Sequence, residues 1–424
     1  MNFEIKNVTL SRMRAIGLRF SLGLFALLMA PLAAIAAPDT LTQSVTYNGE
    51  TITMQLTRQD LRGDHFEVLI QNSSGGFDPY VPVDDRAYIG TVDERPDANS
   101  FGVLLDNGQL QGGVTFDRGV TWFTLDDQVY DAKALGYARD QFADYKWSTS
   151  PDIVAPPADL NMQGFDVALD LAWGYYSDRA GHDVAKALEM AEVSVNNTRA
   201  AYMRDGLVRP YLARVIIRTS QAHDPHEADI SVASDWKANH TDADRDMIAR
   251  AKVGGGGVAR VSCIGGSGCA SKNHSQSNGM FHGLWAHEGG HNWSLGHAVG
   301  GQPEGGAIMS TSVSRYSGAE LYKLHGHRAS RVNGVLDNEG VYAAVDIPPY
   351  AAYDAVQAQA GTQVFIDVLA YDFDANGHSI NLTGNFDNIS DHGGSVSLSP
   401  GTGPGGGNEL LYNPPAGARV EGVT

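Results

Sequence analysis

The sequence predicts a multidomain protein in which an α+β domain is flanked by an all-β unit before it and a β-sandwich-like module after it. The chain has 424 residues, more than one compact core usually holds. Short strand patterns separated by turn residues lie on both sides of a central strand, helix and strand. The formal charge of −19, from 49 acidic and 30 basic residues, argues against nucleic acid as a partner because it repels phosphate.

The first 36 residues have the pattern of a signal peptide. An apolar run from Leu22 to Ala36 ends in small residues, which predicts cleavage after Ala36, and it follows the basic residues Lys6, Arg12, Arg14 and Arg19. The alternative is a membrane anchor, but a run of about 15 residues is short of the roughly 20 that a spanning helix needs. We expect an exported protein without a membrane span in its mature form, secreted to the extracellular space, with the periplasm as the alternative.

Residues 37–147 form the predicted all-β unit. Glycine- and asparagine-rich turns separate its strand-like segments, which are 51–56, 65–70, 102–105, 114–116 and 121–125. Residues 148–160 are rich in proline, which cannot continue a helix or a central strand, so we predict an exposed linker there. Linkers of this kind are preferred sites of proteolytic cleavage.

Residues 161–346 form the predicted α+β domain. Phe165–Leu171 and Tyr211–Thr219 have strand patterns, and His182–Arg204 between them has apolar residues at helical spacing. We predict a further helix near Asp242–Lys252. Four glycines then lead into a candidate edge strand, 258–262.

The two cysteines of the chain, Cys263 and Cys269, lie in this domain. An exported chain meets oxidants, so we predict a disulfide that closes a small loop. Metal ligation is the alternative, but no further cysteine completes a thiolate site.

Residues 347–424 form the predicted β module, with short strands at 364–369, 379–382, 395–398 and 409–412. Asp372, Asp374 and Asn376 stand at alternate positions before a glycine, as oxygen ligands do in calcium loops. Thr383 at the twelfth position excludes an EF-hand. The segment is similar to part of a bacterial cadherin-like or Ig-like domain, and a plain acidic turn is the alternative to a Ca²⁺ site.

The segment from Trp285 to His297 contains the candidate metal ligands and the candidate catalytic residue. On a helix His287 and His291 lie one turn apart on the same face and direct two imidazoles at one point. The glycines around them are poor helix formers, so the helix should end soon after His291 and let the chain return His297 as a third ligand. The alternatives are surface histidines without a metal and a structural zinc, which usually has four protein ligands.

Three neutral imidazoles leave the fourth position of a tetrahedral zinc ion for water, whose pKa falls to about 7. Glu288 adjoins the first ligand, where its carboxylate can take a proton from that water as general base. The pattern therefore indicates a hydrolytic zinc site.

The order His-Glu-x-x-His with a third histidine, followed by Ala307-Ile308-Met309-Ser310, resembles the metzincin zinc metallopeptidases, and within them the reprolysin/adamalysin branch. The resemblance implies a twisted mixed sheet plus helices, a Met-turn at Met309 below the zinc, and hydrolysis of protein or peptide substrates. Residues 37–147 resemble the propeptide of that branch, which implies a zymogen with its own propeptide as intramolecular inhibitor. The family binds substrate beside an edge strand, here Val258, Ala259, Arg260 and Val261.

The sequence departs from that family at three points. Ser294 stands where the family has glycine, and a left-handed backbone there would cost on the order of 1 kcal/mol. The propeptide-like region has no cysteine, so a thiolate latch cannot operate. Tyr316 lies too far from Met309 to be the tyrosine ligand of other branches, and we expect a packed aromatic.

Two further functions stay open. The chain could be an extracellular adhesion or matrix-binding protein with a vestigial protease domain, although the retained Glu288 favours an enzyme. Zinc-dependent hydrolysis of a bond other than a peptide is the other, because a ligand set alone does not choose the substrate.

Overall fold

The computed structural model describes most of the chain from residue 37 onward. The description leaves out residues 117–120, 126–127, 132–158, 225–230, 276–277, 298–307, 310–315, 317, 342–348, 350, 352–355, 371, 373, 375, 391–392, 417–420 and 424. The predicted signal peptide, and all of the predicted linker except its last two residues, lie outside the described residues. Within the described part, no helix has the length and apolar character needed to cross a membrane.

The N-terminal region is rich in strands, as predicted. They are β1 Thr40–Tyr47, β2 Glu50–Arg58, β3 Arg62–Gln71, β4 Phe77–Tyr80, β5 Ala87–Val92, β6 Arg95–Leu104, β7 Leu110–Phe116, β8 Thr121–Leu125 and β9 Gln128–Asp131. All of them except β3 and β4 form one antiparallel sheet in the order β1-β2-β5-β6-β7-β8-β9. Its apolar side chains alternate along the strands, and the inward ones, such as Met54, Leu56 and Tyr88, form a core of their own.

The central region combines strands and helices. They are β10 Asn161–Leu171, α1 Val184–Ala201, β11 Val208–Ile217, α2 Val232–Asn239, β12 Met247–Lys252, β13 Val258–Ala259, β14 Ala270–His274, α3 His282–Asn292, α4 Gly318–Ala329 and β15 Asp337–Val341. The sheet order is β13-β14-β12-β10-β11-β3-β4, with β15 beside the start of β10. β10 pairs in parallel with β11 and β12, while β13 is an antiparallel edge.

Both faces of this sheet are covered. Alternate residues of β10 belong to different apolar clusters: Val167 and Leu169 pack with residues of α1 and α3, whereas Ala168 packs with Trp236 of α2. β10 is mostly apolar, as a strand covered on both faces requires, and its buried Asp170 is paired with Arg218 and Arg250. The chain therefore has a sheet-rich α+β architecture with several sheets.

The C-terminal region has short strands in small sheets. They are β16 Val356–Ala358, β17 Val364–Ile366, β18 Ser395–Ser399, β19 Glu409–Asn413 and β20 Glu421–Val423. β17, β19 and β18 form one antiparallel sheet, and β16 pairs with β20. Residues 379–382, which we predicted as a strand, have no regular secondary structure.

The structure differs from the predicted organisation at two places. Strands β3 and β4 lie within the predicted N-terminal unit, yet they belong to the central sheet because β3 pairs in parallel with β11. The predicted helix near Asp242–Lys252 is wrong. Met247–Lys252 is strand β12, held between β10 and β14, and those two ladders outweigh the helix preference of its alanine, arginine and lysine residues. The helix of this region, α2, ends before it at Asn239.

Candidate metal centre

Helix α3 places two histidines at one point, as the sequence predicted. It runs from His282 to Asn292 and every residue in it is buried, so His287 and His291 project from the same face, one turn apart. The helix ends one residue after His291. Ser294 then adopts a left-handed backbone with a φ of 79°, which turns the chain back toward the helix and brings His297 to the same place.

The three histidine side chains converge. His297 Nε2 lies 3.1 Å from His287 Nε2 and 3.2 Å from His291 Nε2. One nitrogen from each ring falls within 4.8 Å of the others, a separation suited to holding one metal ion. Nitrogens about 2.0–2.1 Å from a tetrahedral zinc ion stand roughly 3.3 Å apart, so the spacing fits this ion.

Hydrogen bonds on the far side of two rings fix which nitrogen carries the proton. His287 Nδ1 lies 3.0 Å from the Ile308 carbonyl, and His291 Nδ1 lies 2.6 Å from the Leu295 carbonyl. Because a carbonyl can only accept, each Nδ1 must donate, and in the neutral ring each Nε2 then carries a lone pair. Two lone pairs directed at the same point, with a third imidazole between them, form a donor set for a cation.

Burial keeps the rings neutral. It lowers the pKa of His287 to about 3 and that of His291 to about 4, and it lowers the pKa of His297 as well. Desolvation is the largest cause in each case, because a charged imidazolium is costly away from water. Neutral imidazole is the form that binds metal, so no proton has to leave these rings at pH 7.

Two glycines of the motif are required by packing. A Cβ at Gly290 would lie 2.6 Å from the sulfur of Met309, and a Cβ at Gly289 would overlap the Tyr202 hydroxyl. Met309 thus packs directly against the helix between the two ligands, where the Met-turn was expected. The neighbouring Ile308 carbonyl accepts from His287, so this short segment supports both the helix and a ligand.

Glu288 is buried beside the triad, with a relative exposure of 4%. Burial raises the pKa of Glu288 to about 8, and the positive charge of Lys272 on β14 opposes that shift. A Cβ at Gly257 would overlap the Glu288 carboxylate, so the glycine-rich segment before β13 passes directly over it. A dication at the triad would favour the ionised carboxylate.

The predicted disulfide is present and lies next to the C-terminal end of α3. Cys263 and Cys269 are bonded, and the loop that they close follows the edge strand. The backbone amides of Ser262 and Cys263 donate to the carbonyls of His291 and Asn292, each at 3.0 Å. The last helical carbonyls, which lack partners within the helix, are thereby satisfied by the loop.

Asn292 joins the metal helix to the edge of the sheet. Its Nδ2 donates to the Arg260 carbonyl at 2.8 Å and to the Ala270 carbonyl at 3.1 Å. Strand β13 covers Val258–Ala259 and is the terminal strand of the sheet, so the predicted substrate strand lies at an edge. Arg260 continues that pairing through its backbone amide, and the Val261 side chain is exposed.

Two other predicted positions do not join the triad. Tyr316 is a packed aromatic whose hydroxyl donates to the Ala286 carbonyl at 2.9 Å. In the C-terminal region Asp374 is buried, and its Oδ1 accepts from the His378 backbone amide at 3.1 Å, a turn within the acidic loop. Asp372 and Asn376 flank it, and calcium binding there stays a prediction.

Comparisons with known proteins do not assign the chain to a family. No family model matches the sequence, and no curated protein matches it. One similar solved structure is titled "Structure of a chaperone-substrate complex", with 16% sequence identity and a TM-score of 0.30. The match covers 52% of this chain, which spans 36% of the length of that one. A TM-score of 0.30 is too low to indicate a shared fold.

Sequence reasoning missed Lys272, Gly257 and Asn292. Lys272 and Gly257 are 16 and 31 residues away from Glu288 in the chain, and no spacing rule relates them to it. Asn292 does adjoin His291 and could have been noticed as the polar residue at the end of the helix. The run of four glycines was noticed, but as a turn and not as the cover of a carboxylate.

Proposed function

We propose that this protein is a secreted zinc-dependent endopeptidase of the metzincin type. The observation that carries the proposal is the pair of imidazoles whose Nδ1 atoms are tied to carbonyls while their Nε2 atoms meet at His297. Such a set of nitrogens suits a cation held between its members, and three nitrogens leave a tetrahedral ion one open position.

In this proposal His287, His291 and His297 hold the ion. When bound, Zn²⁺ supplies Lewis acidity, which polarises a substrate carbonyl and lowers the pKa of water. Glu288 is the neighbouring group that can take a proton from water and pass it to the departing amine. Burial alone raises the pKa of Glu288, and a cation at the triad would favour the ionised carboxylate that a base needs.

The substrate would be an extended peptide. β13 is the terminal strand of the sheet among the described residues, and a peptide can pair with such a strand through backbone hydrogen bonds. Asn292 fixes that edge to the metal helix, so a peptide held by β13 would keep a constant distance from the triad. Residues 37–147 are, in this proposal, the propeptide-like part of the zymogen.

The test is metal content and proteolysis on the same samples. Wild-type protein, cut in the 148–158 segment, should contain one zinc per chain and degrade casein, and a chelator should abolish the cleavage. Glu288→Gln should keep the zinc and lose activity by roughly 10²–10⁴-fold, because it keeps the shape of the side chain but removes the base.

His287→Ala and His282→Ala form a matched pair, because both residues are buried on α3 and only the first faces the triad. The first variant should lose zinc and the second should retain it. A Glu288→Gln variant that cuts casein at the parent rate would refute the assigned base. Zinc retained after His287→Ala would refute the site.

A further inference from the structure

The two edges of the central sheet differ. One edge is β13, which the proposed function leaves for substrate. The opposite side is covered by β3 and β4, which come from the N-terminal region; β3 pairs with β11, and β4 pairs with β3. This N-terminal segment, residues 37–131, is therefore built into the sheet that supports the metal helix.

The pairing of β3 with β11 is extensive. Val68, Leu69 and Ile70 stand opposite Val215, Ile216 and Ile217, and the Leu212 amide donates to the Leu61 carbonyl at 2.8 Å. Leu61 and Val68 are buried in the same apolar cluster as Trp285 of the metal helix. Removing the segment would expose an apolar edge strand with unpaired backbone groups, which is unfavourable in water.

Polar contacts from α1 join the same segment. Arg62 pairs with Glu192 at 2.7 Å, with side-chain exposures of only 12% and 9%. Asn196 Nδ2 donates to the carbonyls of Gly102 and Tyr88, at 2.9 and 3.2 Å. Loss of the segment would remove the partners of the Glu192 carboxylate and of the Asn196 side-chain amide, so both polar contacts favour its retention.

Helix α1 carries this support to the metal helix. Ser194 Oγ accepts from the Phe281 amide at 3.2 Å, and Thr198 Oγ1 donates to the His282 carbonyl at 3.1 Å. Ser194 and Thr198, which contact the start of α3, lie one turn apart on α1. Asn196 lies between them on the same helix and bonds to the N-terminal segment.

We propose that residues 37–131 stay bound as a non-covalent structural subunit after the chain is cut between residues 148 and 158. The segment completes the sheet along β11 and leaves the β13 edge open, so it supports the metal centre from the side away from substrate. That the chain is cut between residues 148 and 158 rests on the proposed function. That the two fragments stay together depends only on their pairing in the central sheet.

The experiment uses the full chain with a recognition sequence for a site-specific protease inserted within residues 148–158. After cutting, the two fragments should elute together in native size-exclusion chromatography and appear as two bands on a denaturing gel. Fragments that separate on the native column would overturn the proposal. Casein cleavage is measured on the same fractions, so a complex that holds together but cuts nothing refutes the protease and leaves the subunit standing.

The Arg62–Glu192 pair gives a sharper test. Arg62→Glu should speed fragment dissociation by roughly 100-fold, because it breaks a buried pair, and Arg62→Glu with Glu192→Arg should restore slow dissociation. Arg58→Glu is the matched control, since its pair with Asp39 is exposed. Equal dissociation of the Arg58 and Arg62 variants would contradict the interface. Casein cleavage that rises only when the fragments separate would show an inhibitor instead of a support.

Discussion

The sulfur of Met309 lies against the α-carbon of Gly290, so close that a Cβ on that glycine would stand 2.6 Å from it. Gly290 is the residue immediately before the ligand His291. The contact therefore links the Met-containing segment to the position of a metal ligand, and it explains why a residue with poor helix propensity is used inside α3.

Gly290→Ala should weaken zinc binding and lower the free energy of unfolding by about 1–3 kcal/mol, because the added methyl group overpacks the contact with Met309. Gly296→Ala is the control, since no atom of the described residues lies within 4 Å of a Cβ there. Thermal unfolding and zinc titration measure both effects. Gly290→Ala with Met309→Ala should regain part of the loss, and an unchanged single variant would contradict the packing.

Ser294→Gly should leave stability nearly unchanged. Glycine relieves about 1 kcal/mol of left-handed strain at this φ of 79°, but it loses the hydrogen bond that Ser262 Oγ donates at 2.7 Å. Ser294→Ala loses the same bond without relief, so it should be less stable than the glycine variant by about 1 kcal/mol. Denaturant unfolding ranks the three proteins, and an alanine variant as stable as the glycine variant would contradict the strain.

Reduction of the Cys263–Cys269 disulfide should loosen the end of the metal helix. Closing a loop this short contributes roughly 2 kcal/mol, and the loop amides satisfy the carbonyls of His291 and Asn292. We expect Cys263→Ser with Cys269→Ser to lower the unfolding temperature and weaken zinc binding. Wild type treated with reductant should match the double variant, whereas the variant itself should not respond to reductant.

The raised pKa of the buried Asp246 carboxyl should make the stability of the protein depend on pH. Burial, together with the nearby carboxylates of Asp166, Asp244 and Asp337, raises this pKa to about 7, and the hydrogen bond from the Asp166 amide opposes the shift. The folded state then holds a proton that the unfolded chain releases near pH 4, so this group's contribution to stability falls as pH rises from about 4 to about 7.

Asp246→Asn removes that titration and can still accept from the Asp166 amide. The variant should exceed wild type by on the order of 1 kcal/mol at pH 8 and by less at pH 5. Asp39→Asn is the control, because its side chain is 88% exposed and it is not one of the carboxylates that raise the pKa of Asp246. Unfolding curves across this range measure the gap, and a gap that does not change with pH would contradict the shift.

The metal centre was the most predictable part of the molecule. His287 and His291 are four residues apart on a helix, a relation that local geometry fixes, and a short turn was sufficient to return His297. Strand β10 was predictable because five of the seven residues of Phe165–Leu171 are apolar, as is typical of a strand covered on both faces. The disulfide was predictable because two cysteines lie close together in a chain that we expected to be exported.

The missed features depend on contacts between distant parts of the chain. Met247–Lys252 has helix-favouring residues, and only the two strands beside it make it a strand. Residues 65–70 were predicted as a strand, but nothing in their sequence tells which sheet they join. Lys272 reaches Glu288 through the packing of β14 on α3, which is a tertiary relation.

The pairing of β3 with β11 also sets the order of assembly during synthesis. Arg62 and Leu212, which stand opposite each other, are separated by 149 intervening residues, so β3 leaves the ribosome long before its partner exists. Contacts of such high sequence separation form slowly, because the entropy cost of closing the loop comes before the favourable contact energy is gained. We therefore expect a late, slow refolding step for this sheet, during which the uncovered edges are prone to aggregation.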